Sequence, residues 1–189
     1  MRIAVYCGSK TGSDDSFRAA AESLGHELVR RGVGLVYGGA RVGLMGALAD
    51  TVLRGGGEVI GVIPAQLQER ELAHPGLTRL HVVGSMHERK ALMADQADGF
   101  VALPGGVGTL DEFFEMWTWG QLGIHAKPLG LLDVDGYFTH LLAFTDEMVR
   151  AGFLSAAHRA MIAVSALPGP LLDAMANAVV PPEKWRDLR

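Results

Sequence analysis

Short β-type runs alternate with helical patterns along the whole chain, and three of those runs empty directly into glycine-rich turns that open a helix. The turns are Cys7-Gly8-Ser9-Lys10-Thr11-Gly12, Tyr37-Gly38-Gly39-Ala40-Arg41-Val42-Gly43-Leu44-Met45-Gly46 and Leu103-Pro104-Gly105-Gly106-Val107-Gly108-Thr109. Few folds accommodate that order. Strand followed by helix at this pitch requires parallel strands joined by crossovers, with helices covering both faces of the sheet. In such a sheet ligands bind at the carboxyl ends of the strands, near the point where strand order reverses. Glycine lets backbone N–H groups approach an anion there, and the helix N-terminus that follows favours negative charge. One glycine turn is commonly no more than a tight connection. Three on one edge of a sheet point to a phosphate-bearing ligand.

The periodicities fix the rest of the outline. Residues 3–6 predict the first strand and 13–31 a helix, with Phe17, Ala20, Ala21, Leu24 and Leu28 at three- and four-residue spacing and Gly32 as its stop. Strands are expected at 35–37, 58–63, 79–83, 99–103, 129–133 and 161–164. Helices are expected at 44–54, 86–97, 109–122 and 137–151, with a last helix before Pro181-Pro182 and a looser polar stretch at 65–77. No repeat, linker or break in composition divides the chain. The expectation is one doubly wound, Rossmann-like α/β domain over residues 1–189, with a parallel sheet of about seven strands flanked by helices.

Composition narrows the function. With 49% hydrophobic residues among 189, the chain has material for one packed core. Its 17 Lys and Arg are scattered and the net charge is −4, so neither a nucleic-acid groove nor a polybasic membrane patch is expected. No apolar run exceeds five residues, the length of that at 160–164, which is far too short to span a bilayer. Cys7 is the one cysteine, which predicts no disulfide and a cytoplasmic location. The seven histidines show no metal-ligand spacing, so no metal is expected. No stretch reads G-x-x-x-x-G-K-[ST], and Asp111 stands where a dinucleotide fingerprint needs its third glycine. A P-loop enzyme and a nicotinamide dehydrogenase are both poorly supported, and no cofactor is expected.

Pro104-Gly105-Gly106-Val107-Gly108-Thr109-Leu110-Asp111-Glu112 resembles the P-G-G-x-G-T-x-x-E signature of the LONELY GUY family. Ser85-Met86-His87-Glu88-Arg89-Lys90 and the turn at 38–46 match that family's other two blocks, and the likeness runs from Cys7 to about Phe153. It includes Trp119-Gly120-Gln121-Leu122-Gly123-Ile124-His125 and Asp133-Val134-Asp135-Gly136-Tyr137. The resemblance implies a cytokinin riboside 5′-monophosphate phosphoribohydrolase, which cleaves the N-glycosidic bond of an N6-substituted AMP to the free base and ribose 5-phosphate. Relatives often carry a lysine decarboxylase label, but no lysine here has the setting of a pyridoxal anchor. Two alternatives stand beside it. One is a broader purine-nucleotide N-glycosidase that accepts plain AMP. The other is a non-catalytic nucleotide- or molybdopterin-binding carrier, which would have no need of Arg89-Lys90 together with Glu112.

Glu112 and Arg89 are the expected catalytic residues. Thr109 and Glu112 also fit a capping box, as N-cap and N3, and a carboxylate in a first helical turn is held ionised by the helix dipole. Such a group suits an oxocarbenium-like ribosyl cation or the activation of water. Arg89 stays protonated at working pH and is expected to clamp phosphate or ribose oxygens and orient Glu112, with Lys90 sharing the ligand contacts. Ser9, Gly39, Gly105, Gly106, Val107, Gly108 and Thr109 are the expected anion and ribose contacts. The family places a substrate-contacting acid at Glu71. Met86, with Met45 and Met93, would line an adaptable base pocket, although methionine at helical spacing is more often core. Trp117 and Trp119 lie two apart on one helix, so their rings diverge by about 200° and one is pushed outward. A homodimer is expected on that ground.

Overall fold

The computed structural model describes residues 1–68, 72–179 and 181–183. Seven strands form one parallel sheet: β1 (Arg2–Tyr6), β2 (Gly34–Tyr37), β3 (Val59–Pro64), β4 (Arg79–Val83), β5 (Gly99–Ala102), β6 (Leu129–Leu132) and β7 (Ile162–Ser165). Their order is β4-β3-β2-β1-β5-β6-β7. Strand order therefore reverses between β1 and β5, which pair from Ile3↔Gly99 to Tyr6↔Ala102. The turns after β1 and β5 flank the reversal, and the turn after β2 lies one strand away.

Helices cover both faces: α1 (Asp15–Arg30), α2 (Gly43–Arg54), α3 (Ala65–Gln68), α4 (Met86–Gln96), α5 (Val107–Gln121), α6 (Thr139–Arg150), α7 (Ala156–Arg159) and α8 (Pro168–Ala176). Alternation along the strands divides the core in two. Ile3, Val5, Leu35 and Tyr37 face Leu24, Leu28, Leu48 and Leu171 of α1, α2 and α8. Ala4, Tyr6, Val36 and Phe100 face Met93, Phe113, Met116 and Trp117 of α4 and α5. Both sets are buried, which is why the central strands read as unbroken apolar runs.

Three helix starts differ from expectation by two residues, each for a local reason. α1 begins at Asp15 because the Asp14 carboxylate accepts the Ser16 N–H at 2.8 Å and caps it. α6 begins at Thr139, behind a 3-10 turn at Val134–Gly136 in which Asp135 takes a φ of 51°. α5 begins at Val107 with Gly106 as its N-cap, two residues earlier than the apolar periodicity indicates. Thr109 is therefore inside the first turn and Glu112 in the second, so the two do not form the expected capping box. The tryptophans diverge as predicted. Trp117 is buried, with Nε1 donating to the His158 carbonyl at 2.9 Å, while Trp119 rests half-buried at the edge of the core.

Candidate active site

α4 and α5 supply the charges. The Ser85 hydroxyl accepts the Glu88 N–H at 3.1 Å, and the Glu88 carboxylate accepts the Gly84 N–H at 2.8 Å. This reciprocal cap sets the start of α4 and turns Arg89 and Lys90, one turn in, toward α5. Arg89 and Glu112 are each only 8% exposed, and Nη2 of Arg89 lies 3.4 Å from Oε1 of Glu112. Nη1 of Arg89 sits 3.7 Å from the Met86 sulfur. Gly38 supports the other side of the guanidinium: a Cβ there would collide with Nη2.

The pair forms the wall of a cleft of about 220 Å³ bounded by Cys7, Ser9, Met45, Met86, Gly106, Gly108, Thr109 and Asp111. Of the expected site residues, the cleft gathers Ser9, Met86, Arg89, Gly106, Gly108, Thr109 and Glu112. Ser9 and Gly106 also border a second compartment of about 340 Å³, lined by Gly105, Phe17, Leu44 and Tyr137 among others. There the Tyr137 hydroxyl donates to the Gly105 carbonyl at 2.6 Å, and its ring meets Phe17 edge-on at 5.7 Å.

Other expected contacts lie elsewhere. Gly39, at a φ of 75°, is turned onto Ile63 and Leu80 of β3 and β4. Val107 is 85% exposed and outside the cleft lining. Lys90 does not line the cleft: its Nζ lies 2.8 Å from Oε2 of Glu115 and 3.2 Å from Oδ2 of Asp111. Met93 is core. Glu71 lies outside the described residues. Gly38 and Asp111 were missed, since neither role shows until α4 is packed against the turn after β2 and against α5. Among the described residues no group of three or more His, Cys, Asp or Glu side chains could hold a metal ion.

The electrostatics of Glu112 reverse the expectation drawn from the helix dipole. Burial raises its pKa above the usual carboxylate range, and Asp111 and Glu115 push the same way; Arg89 and Lys90 oppose them. The dipole's influence fades beyond the first turn, and Glu112 is past it. Burial likewise pushes the thiol of Cys7 up, leaving it a poor nucleophile. Lys90 is raised, chiefly by its hydrogen bond to Glu115. Another hollow, of about 510 Å³, lies at the amino ends of the strands, where Arg2 is already bound to Glu58 at 2.8 and 3.1 Å.

A glycine-lined cleft at the reversal of a doubly wound sheet, holding an arginine–carboxylate pair, defines an α/β protein built for an anionic nucleotide. Comparison with known proteins gives the family. A family profile described as "Possible lysine decarboxylase" matches residues 45–175. A probable cytokinin riboside 5′-monophosphate phosphoribohydrolase of Oryza sativa subsp. japonica is 53% identical over 180 residues, covering 95% of this chain and 79% of that protein. A cytokinin riboside 5′-monophosphate phosphoribohydrolase of Arabidopsis thaliana is 53% identical over 161 residues, covering 85% and 74%. The chain belongs to this LONELY GUY family of phosphoribohydrolases. Among solved structures, the molybdenum cofactor carrier protein of Chlamydomonas reinhardtii superposes with a TM-score of 0.71 at 21% identity, covering 93% of this chain and 96% of that one. A molybdenum cofactor binding protein of Rippkaea orientalis gives 0.70 at 19%, covering 93% and 95%. At those identities the likeness is one of fold.

Proposed function

We propose that the protein hydrolyses the N-glycosidic bond of N6-substituted AMP, the substrate class named for its relatives, to free base and ribose 5-phosphate. The observation that carries the reading is the buried Arg89–Glu112 pair, 3.4 Å apart, beside the N-terminus of α5. The first N–H of that terminus to meet a helical carbonyl is that of Leu110, 3.2 Å from Gly106 O. Those of Gly108 and Thr109, both in the cleft wall, are left for the 5′-phosphate, with the hydroxyl of Ser9 nearby. Met45 and Met86 offer the base a polarizable, adaptable wall.

The chemistry follows from that placement. The C1′–N9 bond breaks with its electron pair leaving on the base, which collects a proton from solvent. The ribosyl centre becomes oxocarbenium-like, and the carboxylate of Glu112 faces the developing charge. It also takes a proton from the water whose oxygen bonds to C1′. Arg89 holds phosphate or ribose oxygens and orients Glu112, its charge fixed at any working pH. A carrier would need the anion cradle but not a carboxylate buried against its own desolvation. Lys90, which does not line the cleft and is bound to two carboxylates, is no imine-forming amine of the kind a pyridoxal-dependent decarboxylase needs.

Among the described residues no helix is long and apolar enough to cross a membrane. A lone buried thiol suits the reducing cytoplasm, to which we assign the enzyme. We also propose a homodimer: α6 buries a single residue fully, Thr145, and leaves Phe144 58% exposed, while Phe153 just beyond the helix is 82% exposed. The test of the activity is Glu112→Gln. The amide keeps the shape of the side chain and loses its charge, so the folded variant is expected to release base from N6-isopentenyl-AMP about 10²–10⁴-fold more slowly. Near-normal turnover by a folded variant would remove Glu112 from the chemistry.

A further inference from the structure

α5 places three carboxylates within little more than one turn: Asp111 and Glu115 at i,i+4, and Glu112 three residues before Glu115. Like charges at those spacings repel. One ammonium answers two of them, since Nζ of Lys90 lies 2.8 Å from Glu115 and 3.2 Å from Asp111, on a side chain 10% exposed. Arg89, the next residue on α4, answers the third at 3.4 Å. The two helices are thus joined by two cations against three anions, and only the Arg89, Glu112 and Asp111 members of that set border the cleft.

We propose that Lys90 is a positioning residue, which acts through Asp111 and Glu115 to keep the Glu112 carboxylate charged and does not touch the substrate. The proposal rests on the reading of Glu112 as the reacting carboxylate. Among the described residues, the charged or titratable groups that enter the balance at Glu112 are Arg89 and Lys90 from α4, Asp111 and Glu115 from its own helix, and Tyr6 and Cys7 from the end of β1. The tyrosine and thiol are neutral, both held so by burial. The sign of the Glu112 equilibrium is therefore set by two cations working against two flanking anions and desolvation. Removing Lys90 takes away one cation and also uncovers both anions. Each change favours the protonated form of the most buried carboxylate, Glu112, and a protonated Glu112 neither faces a cation nor accepts a proton from water.

The experiment is a pH titration of the substrate-free protein labelled with ¹³C at the glutamate side-chain carboxyls. The Glu112 signal is assigned by its loss in Glu112→Gln, and kcat/KM for N6-isopentenyl-AMP is measured over the same pH range. Lys90→Met is expected to raise the Glu112 midpoint, and with it the acid limb of kcat/KM, by about one pH unit. Lys90→Arg, which keeps the charge, should leave both near the wild-type values. Glu115→Gln alone should move the midpoint down, and in combination with Lys90→Met it should restore part of the shift. If Lys90→Met does not fold, Lys90→Gln is titrated in its place, and the same rise in the Glu112 midpoint is expected. An unmoved midpoint in Lys90→Met or in Glu115→Gln, or a rise in KM for the monophosphate with no change in midpoint, would overturn the proposal in favour of direct substrate contact. The titration needs no turnover: a wild-type protein that hydrolyses nothing would sink the proposed activity and leave the midpoints to judge Lys90.

Discussion

Arg89 can occupy its place only because Gly38 has no side chain, and this gives a prediction at the scale of one methyl group. Gly38→Ala puts a Cβ onto Nη2 of Arg89, while the backbone at this position demands nothing that alanine lacks. The guanidinium must move off Glu112. A displacement of that order is expected to lower kcat/KM by about 10²-fold with thermal stability nearly unchanged; wild-type kinetics in this variant would mean that the guanidinium has room to spare. Glu112 and Arg89 were legible in the sequence because motif and glycine turns converge on them. The partners of Arg89 and Lys90 were not, since Gly38, Asp111 and Glu115 meet them only across elements far apart in the chain. The state of Glu112 was misread for a nearer reason. Glycines at 106 and 108 read as loop, yet the helix begins at Val107 and carries Glu112 beyond its dipolar first turn.

At the scale of elements, one arginine fastens α1 to α8. Arg31, just past the end of α1, donates to Glu27 at 2.6 Å, to Asp173 at 2.7 Å and to the Gly169 carbonyl at 3.0 Å. Its side chain is 22% exposed, so water screens it only in part. Arg31→Ala is expected to cost about 1–2 kcal/mol and to lower Tm by about 3–6 °C, with no change in kcat/KM because the contact lies far from the cleft. An unshifted Tm in a calorimetric scan would show that α8 is held by its apolar face alone, through Leu171, Leu172 and Met175. All seven strands and the longer helices were visible as periodicities. α3 and α7, four residues each, are too short to show one. The start of α6 was hidden because the 3-10 turn before it depends on the Asp133 carboxylate accepting the Phe138 N–H at 2.7 Å, a contact that leaves no periodic trace.

At the scale of the whole molecule, the reversal of strand order between β1 and β5 brings glycine turns from both sides to one cleft, and the order itself could be read only from the folded sheet. Phe144, Phe153 and the half-buried Trp119 leave apolar surface for a second copy. Light scattering at micromolar concentration should give twice the chain mass of 20.1 kDa; a value near 20.1 kDa would end the dimer proposal. The central claim is that the glycine turns and α5 hold a phosphate while Glu112 attends the glycosidic bond. The most direct measurement compares N6-isopentenyl-AMP with N6-isopentenyladenosine, and AMP with adenosine, by chromatographic release of free base. Charge-assisted contacts are each worth roughly 1.5–3 kcal/mol, so losing two should lower kcat/KM about 10²–10⁴-fold for the nucleosides. Because that binding energy also seats the ribose against Glu112, kcat should fall along with the rise in KM. Equal rates for nucleoside and monophosphate, or tight binding of the monophosphate with no base released, would contradict the account.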